Sequence, residues 1–111
     1  MTDAVAVILT TVPESCDWEA LARDAVAAGL AACVQCDTPM ASVYSWQGEL
    51  CRDTERRLTI KTSPQSVAAL YEFVCGRHPY DVPQWIVLHG EASAAYGRWV
   101  HELTGTRAKD Q

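Results

Sequence analysis

At 111 residues, with 49% hydrophobic and 21% charged side chains, the chain has the size and composition of one globular domain that buries roughly two-thirds of its unfolded surface. A net charge of −5 disfavours nucleic-acid and anionic-membrane partners, which require clustered basic surface. There is no apolar run of about 18 residues for a membrane span, and no basic region precedes the first apolar run, so cytoplasmic residence is the expectation. Cys16, Cys33, Cys36, Cys51 and Cys75 are odd in number, which argues against a disulfide framework.

The first element is Ala4 to Leu9, apolar without alternation, as in a strand covered on both faces. Past Pro13, the spacing of Trp18, Leu21, Ala22, Ala25 and Val26 predicts a helix over 16–28, with Gly29 at its C-terminal cap. Ala31 to Gln47 is extended, with a kink at Asp37-Thr38-Pro39. Cys33 and Cys36 fall on opposite faces of such a strand, so they neither chelate one ion nor bridge. Tyr44 and Trp46 share a face, and Gln47-Gly48 marks a two-residue turn into a second long strand from Glu49 to Thr62.

Ser63 and Pro64 form a helix start, followed by Val67, Leu70, Tyr71 and Val74 at helical spacing as far as Gly76. His78-Pro79-Tyr80-Asp81-Val82-Pro83 is then a stiff connector, because two prolines fix φ and hold the preceding residues extended. Gln84 to His89 is another apolar strand. Ser93 opens a last helix with Tyr96, Trp99, Val100 and Leu103 inward, stopping at Gly105 before a frayed tail over 106–111.

The order β-α-β-β-α-β with a terminal helix defines a ferredoxin-like α+β domain spanning 1–111, with both main helices on one face of an antiparallel sheet. Two features then require a partner. The first and last strands are apolar on a face those helices leave open, and hairpin arms of about a dozen residues, roughly 40 Å long, outreach a small domain. Self-association covers both, so the expectation is an obligate homo-oligomer.

No nucleophilic triad, phosphate-binding glycine loop or zinc signature is present. The polar set that remains is Glu55 and Lys61 on the second hairpin arm, Tyr44 and Trp46 on the first, and His78, Tyr80 and Asp81 in the proline-bracketed connector. Each also has a structural reading: Glu55 and Lys61 as solvated strand charges, Trp46 as an interface anchor, His78 as a satisfied histidine. His and Cys side chains suit Cu or Zn by softness, yet no local spacing forms a site, so any metal centre is assembled by folding or between subunits.

Four stretches taken together carry a family resemblance: Gly29-Leu30-Ala31-Ala32-Cys33-Val34, Ser42-Val43-Tyr44-Ser45-Trp46-Gln47-Gly48-Glu49, Ile60-Lys61-Thr62, and His78-Pro79-Tyr80-Asp81-Val82-Pro83 before an apolar strand. In this order and spacing the chain resembles the CutA family of divalent-cation tolerance proteins from about Val5 to Leu103. The resemblance implies a homotrimer similar to the PII signalling proteins, and a non-catalytic link to copper and other divalent-ion tolerance. It also implies inter-subunit clefts holding Glu55, Lys61, Tyr44, Trp46, His78, Tyr80 and Asp81. No cofactor is required on this view, Cu²⁺ or another divalent cation being the implied ion. Family members described as copper binders use a first-strand cysteine and a His-His pair; the matching positions here are Thr10, Arg77 and His78, so His78 alone carries over as a metal residue. The alternative is a PII-like sensor with an anionic small molecule in the cleft. An acylphosphatase-like hydrolase would need an arginine-bearing cradle that Thr10 to Asp17 lacks, and an RNA-binding sheet face would need basic side chains.

Overall fold

The computed structural model describes residues 1–104; the expected helix stop at Gly105 and the frayed tail over 106–111 lie outside the described residues. The elements are β1 (Thr2–Pro13), α1 (Trp18–Ala27), β2 (Cys33–Cys36), β3 (Met40–Trp46), β4 (Glu49–Thr62), a single 3₁₀ turn over Pro64–Ser66, α2 (Val67–Cys75), β5 (Ile86–Ser93) and α3 (Ala94–Leu103). All strand pairs are antiparallel, in the order β2-β4-β1-β5, and β3 pairs with the outer part of β4. The fold is therefore the α+β arrangement expected. No helix among the described residues is long and apolar enough to cross a membrane.

Alternation along the strands sets the layers. Ala6, Ile8 and Ile60 point to one face and pack with Ala25 of α1 and Leu70 and Val74 of α2. Ile8, Leu58 and Leu70 are at most 1% exposed, and each contributes roughly 1.5–3 kcal/mol of burial. Asp17 caps α1 by accepting from the Ala20 amide at 3.1 Å. The Ser63 hydroxyl does not cap a helix as expected; it lies 3.0 Å from the Ser66 hydroxyl and accepts from Thr104 at 2.8 Å, a buried link from this turn to α3.

α3 alters the expected picture of a sheet with one bare face. Val5 faces away from α1 and α2, and α3 covers it with Val100, next to Ala32. That cover ends quickly. Farther along the same face, Val7 pairs with Leu88 and Leu9 with Ile86, and Ile86 and Leu88 remain 45% and 49% exposed. Tyr96 and Trp99 are also not inward as expected. They are 40% and 42% exposed and pack on each other, ring centres 5.5 Å apart, because α3 reaches only the end of the sheet.

The central hairpin projects as its length implied, and the described residues extend 46 Å along their longest axis. Pairing of β1 with β4 stops at Pro13 opposite Glu55. Outward of that point, Glu49 to Thr54 have β3 as their neighbour and an open edge on the other side. The tip turn places Gln47 at φ 51° and Gly48 at φ 81°, the left-handed pair of a type I′ hairpin turn.

The kink at Asp37-Thr38-Pro39 shifts the register. Cys36 sits opposite Leu58, but Met40 sits opposite Glu55, so three residues on one strand face two on the other. An extra residue of this kind reverses which side chains occupy each face beyond it. Here it turns Ser42, Tyr44 and Trp46 to the face of Asp53 and Glu55. Arg57 fixes the corner, its guanidinium 2.9 Å from the Asp37 carboxylate.

Candidate functional site

A cavity of about 760 Å³ opens where the hairpin leaves the body of the sheet. Thr11 and Glu55, 3% and 8% exposed, form its floor. Ser42, Tyr44 and Trp46 of β3 form one wall, and the strap Pro79 to Gln84 forms the other. Two carboxylates, Glu55 and Asp81, are in the lining, and no Lys, Arg or His is.

Short hydrogen bonds hold the strap on β1. Thr10, fully buried, donates its hydroxyl to the Gln84 carbonyl at 2.6 Å. His78 Nε2 lies 2.6 Å from the Thr11 carbonyl oxygen, and the Tyr80 amide lies 3.0 Å from His78 Nδ1. A carbonyl only accepts and an amide N–H only donates, so His78 carries its proton on Nε2 and accepts at Nδ1. Both ring nitrogens are engaged, and neither lone pair is left for a metal in this arrangement. The imidazole also packs on the Tyr80 ring, centres 4.9 Å apart.

Tyr80 bridges the strap to the floor by donating to Glu55 Oε2 at 3.2 Å. Partial burial and the neighbouring Glu55 carboxylate push its hydroxyl up to about 12. Tyr44 donates to Asp53, and that bond raises Tyr44 to about 12 as well. Both hydroxyls keep their protons at neutral pH and face negative charge.

Five of the residues singled out in the sequence, Tyr44, Trp46, Glu55, Tyr80 and Asp81, are brought together in the cavity lining. Two are not. Lys61 is on the same sheet face as Glu55 but six positions along β4, roughly 20 Å away, where it donates to Gln35; it does not pair with Glu55. His78 lies behind the strap and locks it. Arg77 is drawn away from the cavity, 2.5 Å from the Asp24 carboxylate and stacked over Phe73. Thr11, Ser42, Asp53 and Gln84 were missed. Asp53 was within reach of the period-2 rule, being two positions from Glu55, whereas Thr11 and Ser42 required the strand register. All five cysteines are free thiols. Among the described residues no three His, Cys, Asp or Glu side chains gather in a metal-holding cluster.

Comparison with known proteins gives a consistent result. The sequence model of one family, described as CutA1 divalent ion tolerance protein, matches residues 6–103. The divalent-cation tolerance protein CutA of Thermus thermophilus is 38% identical over 89% of this chain and 97% of its own length. A solved structure of that description from the same organism superposes with a TM-score of 0.85 at 37% identity, covering 91% of this chain and 99% of that one. Protein CutA of mouse is 37% identical over 91% of this chain, and the chain spans 58% of that longer relative. A structure described as the PII-like protein CutA from Nostoc, in apo form, matches with a TM-score of 0.82 at 32% identity, over 90% of this chain and 97% of that one.

Proposed function

Since the chain belongs to the CutA1 divalent ion tolerance family, we propose that it is a homotrimeric cytoplasmic protein acting in divalent-cation tolerance or homeostasis, with copper the leading ion, by binding rather than by catalysis. The family match across residues 6–103 carries this reading.

The assembly part is supported by the open edge of β4 from Glu49 to Thr54, the open outer edge of β5 and the apolar strip of Ile86 and Leu88. An edge meeting a different edge is a head-to-tail contact, which repeats until a ring closes. Sedimentation at micromolar concentration is expected to give three times the 12.2 kDa chain mass; a stable monomer would overturn the trimer.

Within the cleft, Glu55, Asp81, Tyr44, Trp46 and Tyr80 are the ligand-facing set, and His78 supports it from outside by locking the strap. A direct Cu²⁺ role for His78 requires one ring nitrogen to give up its backbone partner. Titration calorimetry with Cu²⁺ and Zn²⁺ on the native protein and His78→Ala tests that role, and equal binding removes it. An anionic metabolite is the less favoured occupant, because the lining offers Glu55 and Asp81 with no cationic side chain.

A further inference from the structure

We propose that the cleft accepts a small organic cation, an alkylammonium group of the choline type, held by the Glu55 and Asp81 carboxylates among the aromatic side chains of Tyr44, Trp46 and Tyr80. The inference rests on the reading of this cleft as the ligand site and names the class of its occupant.

Charge is the first argument. Glu55 is 8% exposed, and the Tyr80 hydroxyl is its hydrogen-bond donor. Neither Glu55 nor Asp81 has an ion-pair partner among the described residues, and Arg23, Arg57 and Arg77 pair with Glu19, Asp37 and Asp24 instead. A carboxylate this buried without a counter-charge is costly, and a cation brought into the cavity relieves the cost. Glu55 also helps raise both tyrosine hydroxyls, behind burial at Tyr80 and behind the Asp53 hydrogen bond at Tyr44.

Shape and donor type are the second. The volume of about 760 Å³ lies in the range of small-molecule sites, roughly 300–1,000 Å³, and far exceeds what a bare ion fills. Tyr44 and Trp46 are 40% and 45% exposed on a hairpin arm that gives them no apolar cover. Aromatic faces beside carboxylates attract alkylammonium groups through the ring quadrupole. A divalent metal ion would want more oxygen, nitrogen or sulfur ligands than two carboxylates supply.

Calorimetry on the full-length protein decides the matter, with choline and its neutral carbon isostere 3,3-dimethylbutan-1-ol as probes, and Cu²⁺, Zn²⁺ and citrate run alongside. Choline is expected to bind about tenfold or more tighter than the isostere, and Glu55→Gln and Asp81→Asn are each expected to weaken choline while sparing the isostere. Asp81 is exposed, so Asp81→Asn keeps the test open should Glu55→Gln disturb folding. Equal binding of choline and isostere overturns the proposal. Loss of Cu²⁺ or Zn²⁺ binding in Glu55→Gln with no choline binding also overturns it, while leaving the cleft as the ligand site. If no probe responds to either substitution, both readings fall.

Discussion

His78 uses both ring nitrogens on backbone, one for the Thr11 carbonyl and one for the Tyr80 amide, and so aims its neighbour Tyr80 at Glu55. The sequence displayed this histidine between a helix and a proline, which is where a ligand would be sought. What it withheld was the strand to which the ring turns. The composition of the strap was thus legible, but the division between residues that lock it and residues that face the cavity was not, since that division depends on contacts 67 positions away in sequence. Tyr80 supplies a prediction at this scale. Its hydroxyl is raised from 10 to about 12 in the folded protein. Below about pH 10 both the folded and unfolded states hold the proton, and the contribution to stability is complete. Between about 10 and 12 the unfolded tyrosine ionises first, so stability falls as pH rises. Tyr80→Phe is expected to flatten that part of the stability profile, read from urea midpoints across the interval; an unchanged slope would remove Tyr80 as its source.

Between β2 and β3, a corner of three residues joins two ladders whose registers differ by one. The strand order, both main helices and the hairpin turn could be read from periodicity and turn residues, and so could a kink at Asp37-Thr38-Pro39. The one-residue offset could not, because alternation along a single strand says which side chains share a face but not which face of the partner they meet. Tyr44 thus lies opposite Cys51 and beside Asp53. Deletion of Thr38 leaves two residues facing two between Cys36 and Met40, so the Gln47-Gly48 turn is expected to keep Trp46 opposite Glu49 and Tyr44 beside Asp53. In an ultraviolet pH titration Tyr44 should still ionise near 12, and its return to near 10, the ordinary value, would show that the corner rather than the turn sets the register. α3 illustrates the opposite limit. Its apolar spacing was clear, yet Tyr96 and Trp99 stay half-exposed, because helical periodicity identifies a face without saying how much sheet remains beneath it.

For the molecule as a whole, the open hairpin edge and the bare apolar strip are the features that make a lone chain incomplete, and both were implied by strand lengths and strand composition alone. Leu50, 81% exposed, is on the hairpin face opposite to that of Tyr44 and Asp53. Leu50→Asp is expected to leave monomer stability within about 0.5 kcal/mol but to shift sedimentation toward smaller species and make the melting temperature depend on protein concentration. An intact assembly in Leu50→Asp would exclude this face from the contact. The position of Glu55 has a mechanical side as well. It stands where a sheet with strands on both sides of β4 narrows to a two-stranded ribbon, the place where β4 loses β1 as a neighbour. Bending stiffness drops at such a step, so the hairpin is a cantilever with Glu55 at its root, and a small rotation there is magnified along an arm of roughly 20 Å. An occupant bridging Glu55 and the strap braces that root and fixes the angle at which the arm meets its neighbour.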